Sequence, residues 1–144
     1  MSRRHPPRLL ALPSYALSLT GRAARAAQAD ALAERGLRLD HVAALAALAD
    51  FGPAPQRQLG DWLAKDAGDV ARLLDELERE GLVARERDPA DRRRQIATIS
   101  AQGRRALAGA LSAAARAERR SLAALDAQER AQLHALLLRA LGER

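Results

Sequence analysis

Residues 81–100 read GLVARERDPADRRRQIATIS. Two runs with strand character, Leu82 to Arg87 and Arg92 to Ser100, flank the segment Asp88-Pro89-Ala90-Asp91. Asp and Pro are turn formers, because proline presets φ and aspartate hydrogen-bonds its own backbone, so the segment reads as a β-hairpin. Side chains alternate across a strand. Ile96, Thr98 and Ser100 therefore fall on one face of the second strand, and Ala97 and Ile99 on the other. This is the one good strand signal in the chain, and everything around it has helical periodicity.

Upstream, Asp66 caps a helix that reaches Glu80. Val70, Leu73, Leu74 and Leu77 lie at i, i+3, i+4 and i+7 on it, a one-sided core face. Gly81 stops it. A short helix over about 56–63 precedes the turn at 64–66, and a helix over about 40–51 precedes that, ending at Gly52-Pro53-Ala54-Pro55. An Ala-rich helix runs over 14–35, with Ser14 as N-cap and Gly36 as stop. Residues 1–13, with three prolines, read as a frayed or extended arm. Downstream, Ser100 caps a helix to about Arg120. Asp126 opens the last helix with a capping box closed by Glu129, and Leu133, Leu137 and Leu141 repeat every four residues along it.

Composition agrees. Of 144 residues, 48% are apolar, nearly all Ala, Leu and Val, and Tyr15, Phe51 and Trp62 are the only aromatics. Ala and Leu favour helix, whereas β-branched and aromatic residues favour strand. The expected class is mainly α with a small β-hairpin, in one domain spanning 1–144, divided at 36/37 and 100/101.

The formal net charge is +6 and the pI near 11.2. A basic balance suits a nucleic acid or an acidic membrane. All the basic residues but Lys65 are arginine, a bias that a GC-rich genome also produces. There is no cysteine, which excludes disulfides, thiolate metal sites and thiol redox sensing. The apolar run Leu9–Leu19 is short and broken by Pro13 and Ser14, so neither a signal peptide nor a membrane span is expected, and the location expected is the cytoplasm. His5, His41 and His134 have no metal-ligand spacing. There is no phosphate-binding glycine loop, nucleophile elbow or His–Glu zinc motif. No enzyme, metal or cofactor is expected.

A short helix, a tight turn, a second helix and a hairpin form a winged helix-turn-helix. Its second helix fits the DNA major groove, and its wing reaches phosphates or the minor groove. The segment from Gly81 to Gln95 resembles the wing of MarR-family regulators, as does its continuation Ile96 to Arg104. Leu59-Gly-Asp-Trp-Leu63 and Val70 to Glu78 are similar to that family's helix-turn-helix in spacing. The resemblance is strong over 37–108.

The resemblance implies a homodimer joined by its N- and C-terminal helices (1–36 and 101–144) around the winged helix-turn-helix (37–100). It implies a pseudo-palindromic operator in double-stranded DNA, a repressor's role, and a small lipophilic or phenolic effector. Arg72 then lies on the exposed face of the recognition helix, whose first turn carries Gly68 and Asp69. Arg92, Arg93 and Arg94 lie at the wing tip, oriented by Asp88 and Asp91 through ion pairing. Tyr15, Arg22 and His41 are the candidates to border an effector pocket. The arm arginines Arg3, Arg4 and Arg8 are candidates to track phosphates, and Trp62 reads as packing.

The recognition helix departs from the family pattern. From Asp66 to Leu82 six acids face only Arg72 and Arg79. Either Asp69 turns back to its own helix end, where the helix dipole favours an acid, or DNA binding is weakened. Gly68 offers no side chain to a base, so the wing should carry much of the affinity. Two other readings stay open: a winged helix that acts through a protein partner, and a non-specific architectural DNA binder.

Overall fold

The computed structural model describes residues 4–143. Its elements are α1 (Pro7–Leu10), α2 (Pro13–Ala33), α3 (Leu39–Phe51), β1 (Ala54–Pro55), α4 (Gln56–Leu63), α5 (Ala67–Arg79), β2 (Val83–Arg87), β3 (Gln95–Ile99), α6 (Ala101–Ser121) and α7 (Ala127–Leu141). Every expected helix is present. None of the helices among the described residues is long and apolar enough to cross a membrane.

Two features differ from expectation. Residues 7–10 form a helical turn where an extended arm was expected. Pro7 stands at its first position, where a proline's fixed φ suits a helix and its missing N–H is not needed. The hairpin also gains a third strand: β1 pairs antiparallel with β3 through Ala54↔Ala97 and Pro55↔Ile96, giving the order β1-β3-β2. Pro55 is tolerated because β1 is an edge strand.

The chain forms two compact units, 29–114 and 1–28 with 115–144, with α2 and α6 running through both. Unit 29–114 holds the main core. Leu32, Leu45, Leu48, Leu59, Val70, Leu74 and Leu77 are essentially inaccessible to water. The hairpin register sets Val83 opposite Ile99 and Arg85 opposite Ala97, so Val83, Ala97 and Ile99 turn into that core. Where α6 begins, the Ser100 hydroxyl donates to the Gly81 carbonyl (2.6 Å) and accepts the Gly103 N–H (2.9 Å). A Cβ on Gly103 would sit 2.1 Å from the Leu82 carbonyl oxygen, so only glycine lets α6 lie this close to the strand.

Unit 1–28 with 115–144 is thinner. Ala117 is its one fully buried apolar residue among those described, and α7 has none. Leu9, Leu10, Leu12 and Leu17 are exposed on α1, α2 and their junction, as are Leu136 and Leu141 on α7.

Candidate nucleic-acid interface

The α4–α5 turn closes through Ala64, whose φ of 51° is left-handed, and through the Lys65 N–H on the Gly60 carbonyl (3.0 Å). Asp66 then caps α5, its Oδ1 accepting the Asp69 N–H at 2.8 Å. The apolar stripe Val70, Leu73, Leu74, Leu77 is buried, which turns Gly68, Arg72, Asp75 and Arg79 outward. Arg79 shares this face with Arg72 one i+7 step away. That spacing is readable in the sequence, although only Arg72 was singled out there.

The acids of α5 have specific partners. Asp69 does not turn its carboxylate back to the helix end; its N–H is capped, and its Oδ1 accepts from Arg72 Nη2. Glu76 accepts from Arg38 Nη2 and meets His41 Nε2, both at 2.7 Å. These two contacts, His41 first, hold the Glu76 carboxyl below its ordinary pKa. Arg85 of β2, with a side chain only 17% exposed, bridges Asp75 and Glu78. Its guanidinium is held charged chiefly by the hydrogen bond to Glu78. Four of the six acids are thus paired with cations or His41, Asp66 serves as the cap, and the expected acidic surface is largely neutralised.

At the wing tip Asp88 is almost fully buried. Its Oδ1 accepts the Ala90 N–H (2.9 Å) and its Oδ2 accepts from Arg94 Nη2 (2.6 Å). The backbone bond and the Arg94 contact, in that order, lower its pKa. Asp91 works on the backbone: its Oδ1 accepts the Arg93 N–H at 3.0 Å and its carbonyl accepts the Arg94 N–H at 3.0 Å. Arg87 Nη1 donates to the Arg92 carbonyl (2.9 Å). The turn is fixed from within, while the guanidiniums of Arg92 and Arg93 make no hydrogen bond or ion pair among the described residues and stand exposed. Arg94 is engaged by Asp88 yet remains half exposed.

Arg38, Asp40, Lys65, Asp69, Arg72 and Leu73 line a polar cleft of about 140 Å³ beside the start of α5. Lys65 bridges to Asp40 at 3.2 Å. Arg38 and Lys65 had no signal in the sequence, since they reach this place from the ends of α3 and α4.

The three residues expected at an effector pocket are used as follows. Tyr15 is half-buried with its ring edge-on to His5, centroids 6.3 Å apart, and Arg22 is exposed. His41 is 6% exposed and both its ring nitrogens are engaged, Nδ1 accepting the Arg38 N–H at 3.0 Å and Nε2 facing Glu76. That leaves neither nitrogen for a ligand. Trp62 packs on Phe51 with centroids 5.1 Å apart. Arg4 and Arg8 are exposed, and Arg3 lies outside the described residues.

Residues 35–94 match the sequence model of the MarR family. YkoM, an uncharacterized HTH-type transcriptional regulator of Bacillus subtilis (strain 168), is 33% identical over 107 residues, 74% of this chain and 70% of that protein. The crystal structure of a probable transcriptional regulator from Pseudomonas aeruginosa is 36% identical, with a TM-score of 0.76, over 92% of this chain and 99% of that one. Wild-type MarR from E. coli in its apo form, at 19% identity, shares the fold with a TM-score of 0.80 over 97% and 99% of the two chains.

Proposed function

The chain belongs to the MarR family of transcriptional regulators, and from that premise we propose that it is a cytoplasmic homodimeric repressor of a pseudo-palindromic operator. As a DNA-binding regulator of this family it is not an enzyme. The observation that carries the reading is the wing: Asp88 and Asp91 fix the turn from within and leave Arg92 and Arg93 pointing to solvent without partners among the described residues. Planar guanidiniums bind phosphate bidentately and suit a narrow minor groove. Arg94 adds charge at the base of the tip. In the major groove, Arg72 and Arg79 are the base- or phosphate-reading side chains. Asp69 holds Arg72 until DNA competes for it, and Gly68 lets the backbone approach.

Helices 1–36 and 101–144 join two copies, which sets the recognition helices about 34–36 Å apart, one turn of DNA. The exposed leucines of α1, α2 and α7 support that assignment. A small lipophilic or phenolic effector near Tyr15 and Arg22 would act by favouring a dimer that no longer matches this spacing. With His41 committed to Glu76, its part there is indirect.

The test is a titration of DNA flanking the protein's own gene against random DNA at two salt concentrations. A specific repressor binds the first at roughly 10⁻⁸–10⁻¹¹ M, at least a thousandfold tighter than the second. Equal affinities of about 10⁻⁴–10⁻⁶ M on both would mark an architectural binder. No binding to either, nor to DNA from elsewhere in the genome, would point to a protein partner. Arg93→Ala should weaken binding to every sequence and reduce the slope of log K against log salt by about 0.9, the loss of one phosphate contact.

A further inference from the structure

Arg72 has carboxylates of its own helix on both sides: Asp69 at i−3, Asp75 at i+3 and Glu76 at i+4. The fold leaves it only the first. Asp75 is taken by Arg85 of β2, and Glu76 by Arg38 and His41 at the start of α3. Arg72 therefore pairs with Asp69, Nη2 to Oδ1.

Helical side chains lean toward the N-terminus of their helix, over residues i−3 and i−4. The ion pair fixes Arg72 in that lean. Its guanidinium is held beside the first turn of α5, the end that a recognition helix presents to base edges. The i−4 neighbour is Gly68, where an added Cβ would have only Asp66 Oδ1 within 4 Å, at 3.4 Å. Packing does not demand glycine there, and the missing side chain leaves the approach to the pair open. Arg79, on the same face, is the contrast. Its i−3 and i−4 acids are Glu76 and Asp75, both already taken, and its side chain has no partner among the described residues.

Nη2 carries one hydrogen on each donor edge of a guanidinium. Nε and Nη1 of Arg72 have no partner among the described residues. Whichever hydrogen Asp69 accepts, the other edge keeps a parallel pair of N–H groups. Guanine offers the matching acceptors, O6 and N7, in the major groove. A phosphate must compete with Asp69 for the charge of Arg72, and the carboxylate repels it. A neutral guanine edge meets no such repulsion. We propose that Asp69 is a specificity-determining positioning residue, which commits Arg72 to a guanine of the operator half-site and withholds it from the phosphate backbone. The proposal rests on the reading of the chain as a sequence-specific DNA binder and names the base that its recognition helix reads.

The experiment is selection by the full-length protein from a duplex library with a random core, followed by titration of the winning duplex and of random DNA over a range of salt. Wild type should enrich a guanine at one position of each half-site, preferred roughly 5- to 150-fold over other bases, as one bidentate contact provides. Arg72→Ala should abolish that preference alone and leave the salt slope on random DNA unchanged. Asp69→Asn should relax the same position by about fivefold or more and keep the other positions. It should also steepen the slope on random DNA by about 0.9, as Arg72 turns to a phosphate. In the Arg72→Ala background Asp69→Asn should have neither effect. A guanine preference that survives Asp69→Asn would overturn the proposal. So would an equal gain in affinity for all DNA with and without Arg72, the mark of a carboxylate that merely repels the duplex. An enriched motif with no guanine dependent on Arg72 would overturn it while leaving specific DNA binding intact. Failure of wild type to enrich any motif would overturn both.

Discussion

Nδ1 of His41 accepts the Arg38 N–H, so the ring proton sits on Nε2 and is donated to Glu76. One neutral imidazole thereby satisfies the N-cap backbone N–H of α3 and ties α3 to α5. Glutamine is a natural third residue of a capping box, but its amide cannot serve the cap and Glu76 together. His41→Gln should therefore keep most of the stability that His41→Ala loses, about 1 kcal/mol for the cap alone, and denaturant melts of the two variants would show the gap. Equal losses would mean that the cap is not what His41 contributes. Acid acts on the two carboxyls held low, Glu76 and Asp88. A depressed acid stabilises the fold above its ordinary pKa and loses that contribution as the pH falls through its lowered one. The thermal midpoint should accordingly be insensitive to these groups at neutral pH and fall below about pH 4. Asp88→Asn should start from a lower midpoint at pH 7 and show a shallower acid slope; an unchanged slope would remove Asp88 from the acid response.

At the scale of elements, what the sequence disclosed and what it withheld have physical causes. Helices α3 to α7 were legible because their apolar residues recur at helical spacing and caps such as Asp66 and Asp126 stand at their starts. The hairpin was legible because Asp-Pro interrupts two alternating runs. Strand β1 was not: two residues, Ala54 and Pro55, carry no periodicity, and they are strand only because β3 has a free edge beside them. The partners of the α5 acids were equally hidden, since Arg38 and Glu76 are 38 residues apart and meet only in the folded chain. Among them Arg85 joins β2 to α5 and so sets the angle between wing and recognition helix. Arg85→Met should reduce affinity for all DNA sequences while leaving the salt slope unchanged, because this guanidinium faces carboxylates and not phosphates. A slope reduced by about 0.9 would make Arg85 a phosphate contact instead. Gly103→Ala tests the other joint of the hairpin. Its Cβ would meet the Leu82 carbonyl at 2.1 Å, so α6 must shift, and overpacking of this kind costs typically 1–3 kcal/mol. A melt unchanged from wild type would show that the joint yields freely.

At the scale of the molecule, the two units have opposite needs. Segment 29–114 buries most of its leucines in one core. Unit 1–28 with 115–144 leaves α7 without a buried residue, with Leu136 58% and Leu141 75% exposed, and leaves Leu12 and Leu17 each 52% exposed on the N-terminal side. Where exposed apolar side chains gather into one patch, the patch marks an interface. Under the proposed dimer a second copy would be the occupant, and two recognition helices one turn apart would read both halves of an operator from one face of the duplex. Leu136→Glu/Leu141→Glu places two charges on that surface without touching the winged helix. Sedimentation should show a dimer for wild type and a monomer for the variant. The variant's affinity for a full operator should drop to that of a half-site, since linked binding gains its strength from effective concentration alone. A variant that remains dimeric would move the interface to α1 and α2. One that becomes monomeric yet binds the full operator unchanged would remove dimerisation from the recognition mechanism.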